Sequence, residues 1–273
     1  MVIFIIILSV LLISAALYLL SLYPGKYHPE KLKSFRSTLV AHRGLFDNGQ
    51  IPENSITAFC CAAERGLAIE LDVQLTADEE LVVFHDESLK RMCNINKNVS
   101  DCTYEELCNY SLLRTNIRIP LFSEVLQAVN GRVPLLIEVK PHGDVIATTT
   151  SLDRLLRDYR GEYAVQSFHP SVCAWYKKYR PHIPRGILST DYRKNNMKRP
   201  FYQQFLLTNL MVNFYAKPDF VAYNHKYANQ FSYKLARKLY RFDNAAWTIR
   251  NPHELKKAKK TFNIFIFDSF VPF

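Results

Sequence analysis

No charged side chain occurs in the first 25 residues of this 273-residue chain. Residues 2–20 are apolar apart from Ser9, Ser14 and Tyr18. Helical rise makes such a run roughly 29 Å long, close to the ~30 Å hydrocarbon core of a bilayer. Two further absences bear on whether the run is retained. No Lys or Arg precedes it, and no clear small-residue cleavage site follows it, because Ser14, Ala15 and Ala16 lie inside it. A cleaved leader normally has both, so the expectation is an uncleaved transmembrane anchor over residues 1–22. Cysteine is sparse. Cys60 and Cys61 are adjacent, and Cys93, Cys102, Cys108 and Cys173 are scattered, which argues against a disulfide framework or a zinc site and for a reducing compartment. Internal repeats, low-complexity segments and nucleic-acid recognition motifs are all missing. The net charge of +10 is therefore not read as a nucleic-acid surface.

That charge is unevenly spread. Residues 41–110 carry thirteen Asp and Glu against five Lys and Arg, whereas residues 175–200 carry eight Lys and Arg against Asp191 alone. Residues 234–260 add nine more cations against Asp243 and Glu254. Most such cations belong to solvated helix faces, but beside a membrane anchor a basic half also attracts anionic headgroups. After the span come Lys26, Lys31, Lys33 and Arg36 against Glu30, and the positive-inside tendency then puts the large domain on the cytoplasmic side.

Tyr23-Pro24-Gly25 breaks the first helix, and a basic linker is expected over 23–37, followed by one domain over 38–273. Short β-branched runs then alternate with helical stretches, the pattern of a parallel α/β fold. Strands are predicted at 38–42, 68–75, 81–85, 134–139, 163–168, 185–188, 220–223, 245–249 and 264–267. Only about five residues separate the second from the third, too few for a parallel crossover. Those two should form an antiparallel hairpin, centred on Ala77 and Asp78, that sets Glu70 opposite His85. Eight parallel strands remain, the number in a closed (β/α)8 TIM barrel. Residues 86–133 read as an insertion over the barrel mouth, with helices at 103–109, behind a Thr103-x-x-Glu106 capping box, and at 123–130, stopped by Gly131. The aromatic-rich stretch 201–215 reads as a helical stretch of the core, with membrane contact as the alternative.

The chemistry concentrates in residues 41–86. Glu70 and Asp72 share one strand face because side chains repeat every second residue. Inside a barrel such carboxylates need a countercharge, since an unpaired buried charge costs several kcal/mol. Hard oxygen ligands suit Mg²⁺ or Ca²⁺, and Glu138 in the next parallel strand could supply a third. Lys140, on the same face as Glu138, offers a cation for a phosphate. His42 and His85 both end strands and are natural proton carriers near neutral pH. Arg43 presents a planar fork suited to phosphate oxygens, with Gly44 allowing a close turn. The other six histidines read as structural or solvent-facing.

These residues resemble the glycerophosphodiester phosphodiesterase family, related in architecture to phosphatidylinositol-specific phospholipase C. The resemblance rests on His42-Arg43-Gly44, Pro52-Glu53-Asn54-Ser55 with Ala58-Phe59, Glu70-Leu71-Asp72-Val73-Gln74, Thr76-x-Asp78 and Val82-Val83-Phe84-His85-Asp86. Leu89-x-Arg91, Ile119-Pro120-Leu121, Glu138-Val139-Lys140 and Trp247-Thr248-Ile249 continue it in order. It implies a metal-dependent phosphodiesterase on a TIM barrel, of a membrane-anchored bacterial type. Glu70, Asp72 and Glu138 match metal ligands, His42 and His85 an acid–base pair, Arg43 a phosphate contact; Asn54 and Trp247 are candidates for lining the substrate. The chain departs from the family's pattern at Asp78-Glu79-Glu80, where a glycine is usual, and at Arg250, where asparagine is common. The expected substrate is a glycerophosphodiester, with a lysophospholipid or other membrane phosphodiester as the alternative. An inactive barrel that binds lipid or a protein partner is the reading from another class.

Overall fold

The structure, a computed structural model, describes residues 1–271. All nine expected strands form: β1 (Val40–His42), β2 (Ala68–Leu75), β3 (Leu81–Val83), β4 (Leu135–Val139), β5 (Tyr163–Ser167), β6 (Arg185–Ser189), β7 (Phe220–Asn224), β8 (Asp243–Ile249) and β9 (Ile264–Phe267). Eight of them run parallel and close on themselves, because β1 pairs with β2 on one side and with β9 on the other. The ninth, β3, is antiparallel to β2. Alternating residues of each strand point outward to helices or inward to the barrel. Outward Ile69, Leu71 and Val73 join Phe59, Phe122, Val125, Leu152 and Tyr176 in one core. Inward Val40, Ala68, Leu136, Ala164, Leu188, Phe220, Ala222 and Ile266 form a second.

The hairpin register is one residue away from expectation. Val73 pairs with Val83 and Leu75 with Leu81, so Phe84 lies against Asp72, where a turn centred on Ala77 and Asp78 would have placed Val83. The turn runs from Thr76 to Glu80, closed by Thr76 N–H donating to Glu80 O and Glu79 N–H to Thr76 O. Glu79 takes the left-handed conformation (φ 61°) that lets a non-glycine residue make this turn. His85 consequently sits just past β3 and not on it.

The insertion has its own small core of Phe84, Leu89, Met92, Val99, Leu107, Leu112 and Ile119. Its capping-box helix forms over Tyr104–Leu107, with Thr103 and Glu106 bonded reciprocally. The second helix is Phe122–Val129, and the chain turns out of it through left-handed Asn130 (φ 47°) before Gly131 (φ 71°).

Two expectations fail. Residues 23–37 are not a free linker. Pro29–Leu32 and Lys33–Ser37 form short helical turns, and Leu32 and Phe35 are buried against the inward core. Lys31 and Arg36 are tied to Asp219 and Asp243, each at 2.9 Å. The stretch 201–215 is not one buried helix either. It divides into Phe201–Thr208 and Asn213–Ala216 around left-handed Leu210, and Phe201, Tyr202, Phe205, Phe214 and Tyr215 are exposed.

Among the described residues one helix, Val2–Leu22, is long and apolar enough to cross a membrane, and a signal sequence passes the same test. The six cysteines are free.

Candidate active site

The polar residues of the barrel collect at the C-terminal ends of its strands, the end where such folds carry their sites. Strand register explains the gathering. His42 pairs with Glu70, Asp72 with Glu138, and Glu138 with Gln166. These partners, together with Glu70 and Asp72 two residues apart, face the same interior. Ligand oxygens of Glu70, Asp72 and Glu138 all lie within 4.8 Å of one another, and the three residues are at most 7% exposed.

The carboxylates have countercharges from the chain itself. Lys140 Nζ lies 2.5 Å from Glu138 Oε1 and 3.2 Å from Asp72 Oδ1. Arg43 Nε lies 3.5 Å from Asp72 Oδ2, while its Nη1 donates to Glu53 Oε1 at 2.6 Å. Lys140 therefore holds two of the carboxylates in place. Burial opposes its charge, but Asp72 and Glu138 outweigh burial and raise its pKa.

Three acidic groups still face two cations. Burial first, then the neighbouring Asp72 and Glu138, push the Glu70 pKa well above the carboxylate range. Asp72 goes the other way, because Lys140, His85 and Arg43 overcome its burial. Asp72 Oδ1 has no hydrogen-bond donor although it is buried. Lys140 is close enough to it for charge attraction only. An excess negative charge and an orphaned hard oxygen fit a divalent cation, so this cluster could hold a metal.

The two histidines are set alike. His42 Nδ1 lies 2.9 Å from Asp268 Oδ2, and His85 Nδ1 lies 2.6 Å from Asp86 Oδ1. Burial tends to raise the pKa of both aspartates, but the imidazole hydrogen bonds, together with Arg91 at Asp86 and with Ser269 and Arg250 at Asp268, outweigh it and hold both down. An ionised carboxylate only accepts, so each Nδ1 carries the proton and each Nε2 is left available. Burial lowers the His42 pKa against the pull of Asp268, favouring the neutral ring that can accept a proton.

Arg43 and Gly44 make a left-handed turn (φ 58° and 82°) directly after β1. A Cβ on Gly44 would come within 2.8 Å of Ala58 backbone, so the helix beginning at Ile56 fixes this position as glycine. Arg43 N–H donates to Glu70 Oε2 at 3.1 Å.

His42, Arg43, Glu70, His85, Glu138 and Trp247 line one cavity of about 180 Å³ with Gln166, Phe168 and Arg250. Trp247 donates its indole N–H to Ala222 O at 3.0 Å and meets Phe168 edge-on. Asn54 does not line that cavity. It is buried behind Asp72, donating from Nδ2 to Asp72 Oδ2 at 2.8 Å, which orients a metal-ligand candidate. A second cavity of about 430 Å³ shares His85, Glu138 and Phe168 and is also lined by Lys140, His142, His169, Met197 and Arg199. His142 and His169 thus have a place the sequence did not suggest.

The partners Asp268, Asp86 and Gln166 were missed as functional. Glu53 and Arg91 stand in quoted motifs, yet their roles were not. Arg91 binds Asp86 through Nε at 2.5 Å and Glu53 through Nη2 at 2.6 Å, which joins Arg43 to His85 through four ionic contacts.

Known proteins share this arrangement of chain. Residues 42–268 match the glycerophosphoryl diester phosphodiesterase family. A Bacillus altitudinis glycerophosphodiester phosphodiesterase is 35% identical over 165 residues, 56% of this chain and 66% of the relative. The rat lysophospholipase D GDPD1 is 35% identical over 159 residues, 54% of this chain and 49% of the relative. The match therefore spans about half to two thirds of the length of these relatives. An Oleispira antarctica phosphodiesterase, solved with the product sn-glycerol-3-phosphate, shares the fold with a TM-score of 0.68 at 21% identity, over 85% of this chain and 92% of that one.

Proposed function

The chain belongs to the glycerophosphoryl diester phosphodiesterase family, and from that premise we propose that it hydrolyses glycerophosphodiesters to sn-glycerol 3-phosphate and an alcohol. The observation that carries this reading is the shared cavity. Two imidazoles anchored through Nδ1 share it with Arg43, Glu70 and Glu138, and an Asp72 carboxylate oxygen lies within 4.8 Å of the other two acidic groups. Glu70, Asp72 and Glu138 would hold a divalent cation, Mg²⁺ or Ca²⁺. Bound there, it would supply Lewis-acid stabilisation of charge on the phosphate oxygens.

The chain's own residues do the rest. Arg43, held by Glu53, offers its remaining donors to a phosphate oxygen. The unprotonated Nε2 of one histidine takes the proton of the attacking hydroxyl, and the other ring, entering as imidazolium, gives its Nε2 proton to the departing alkoxide. Asp268 and Asp86 keep both rings in the required tautomer and stabilise whichever becomes imidazolium. Trp247 and Phe168 form an apolar wall that excludes water from one side.

The test is release of sn-glycerol 3-phosphate from glycerophosphocholine by the full chain with added Mg²⁺ or Ca²⁺. A His42→Ala, His85→Ala double variant and chelator should each remove it. Undiminished turnover in the double variant refutes the reading. A second reading keeps the chemistry and moves it to lysophospholipids. It is favoured by the apolar helix Val2–Leu22, which we read as an uncleaved anchor with the barrel on the cytoplasmic side. Comparing release from vesicle-borne lysophosphatidylcholine and from glycerophosphocholine separates the two substrates.

A further inference from the structure

The first helix is sewn to one flank of the barrel in a definite direction. Tyr18 Oη lies 2.6 Å from Ser232 Oγ, near the start of the helix Phe231–Leu239. Five residues later the ring of Tyr23 packs on Tyr240, just past the end of that helix, at 5.3 Å. Tyr240 Oη also donates to Leu19 O, and Asn213 Nδ2 to Leu22 O. Helices of a parallel barrel begin at the mouth, since each follows the C-terminal end of a strand. Stepping back from Tyr23 to Tyr18 therefore runs from the closed end toward the mouth. Residues 2–17 are exposed and continue beyond it by roughly 24 Å.

The same end carries an unusual surface. Phe201, Tyr202, Phe205 and Phe231 are 51–73% exposed, all in first turns of helices that start at the mouth or directly after them. Beside them Arg193, Lys194 and Lys198 are exposed, with only Asp191 paired to Lys194 at 3.4 Å. Large aromatic side chains flanked by cations are the composition of a membrane-interface contact. Met197 and Arg199, in the same loop, line the second cavity, which opens onto His85 and Glu138.

We infer that the barrel mouth faces the bilayer, with Phe201, Tyr202, Phe205 and Phe231 seated among the headgroups and Arg193, Lys194 and Lys198 on anionic lipid. A phosphodiester lipid then reaches His85 sideways, through the cavity lined by Met197 and Arg199, without leaving the membrane surface. The access route rests on the hydrolase reading above; the seating itself rests on the helix and the surface.

The full chain is reconstituted in vesicles of phosphatidylcholine and phosphatidylserine whose acyl chains carry bromine. Phe205→Trp and Glu162→Trp each add one indole, the second at the closed end beside β5. Bromine should quench the emission added at position 205 at least about twofold more than that added at 162. Equal quenching, or none at 205, overturns the inference, including the case in which a protein partner covers this face. In the second arm, Phe201→Ser, Phe205→Ser and Phe231→Ser are combined. Hydrolysis of vesicle-borne lysophosphatidylcholine should fall roughly tenfold while that of glycerophosphocholine stays within about twofold. Loss of both rates together, or of neither, overturns the access route. A chain that cleaves neither substrate refutes the hydrolase reading, and the quenching arm still decides the seating.

Discussion

Glu53 receives both terminal nitrogens of Arg91, at 2.6 and 3.0 Å, across 38 residues of sequence. The same guanidinium holds Asp86, and Asp86 holds the imidazole of His85. The insertion is thereby bolted to the loop that carries Arg43.

Truncating that bolt should act on stability and turnover together. Arg91→Ala leaves buried Glu53 with Arg43 as its one remaining cation. Arg91 is itself half-exposed, so the loss should be about 2 kcal/mol, seen as a melting temperature lower by roughly 5 °C. Turnover should drop about tenfold as His85 loses its fixed orientation. An unchanged melting temperature and kcat would show the network to be idle.

Asp268→Asn should leave the fold intact and damage the chemistry. The amide can donate to His42 Nδ1 and so permits the wrong tautomer, at a cost of about 100-fold or more in kcat. Steady-state kinetics beside thermal unfolding decides this. A kcat within a factor of two would remove Asp268 from the mechanism.

Glu53 makes stability depend on acid. Arg91, Arg43 and Asn48 overcome its burial and hold its pKa at about 2, against 4.5 for an unperturbed group. A depressed carboxylate contributes its stability above the unfolded value and loses it as pH falls through the folded one. Between about pH 4.5 and 2 the free energy of unfolding should therefore shrink by roughly 3 kcal/mol on this account. Denaturant titrations across that range should be flatter for Glu53→Gln.

Cation binding should be visible without any substrate. Mg²⁺ or Ca²⁺ at about 100 times its dissociation constant adds roughly 2.7 kcal/mol to the native state, which raises the melting temperature by several degrees. Glu138→Gln should abolish most of that gain. A melting temperature indifferent to both ions would leave the acidic cluster to Lys140 and Arg43 alone.

Gly44→Ala should lose about 1–3 kcal/mol, since the new methyl meets Ala58 at 2.8 Å on a left-handed backbone. Chemical denaturation measures it, and a neutral result would mean the loop shifts freely.

What could be read in the sequence was whatever repeats locally. Every strand of the barrel was legible from β-branched runs, and Glu70 and Asp72 from a period of two. The hairpin slipped by one residue because Glu79 adopts a left-handed turn that no glycine announced. The pairing of Lys140 with Asp72 was not legible, because spacing placed the lysine near Glu138 but could not show that it also reaches a neighbouring strand. Asp268 and Arg91 were invisible as partners for a related reason. Their contacts with His42 and Glu53 exist only once the barrel closes and the insertion folds back. The stretch 201–215 was taken for core because apolar residues usually are, and its exposed aromatic face escaped that rule.

Leu32 and Phe35 act as a stopper in the open base of the barrel, contributed by the segment that leads in from the first helix. A shortened protein starting after Ser37 would lose two side chains of the inner core and the ties from Lys31 and Arg36. Any water-soluble version has to keep residues from Pro29 onward. In the full chain, a pull on the leading helix is transmitted straight to the base of the molecule.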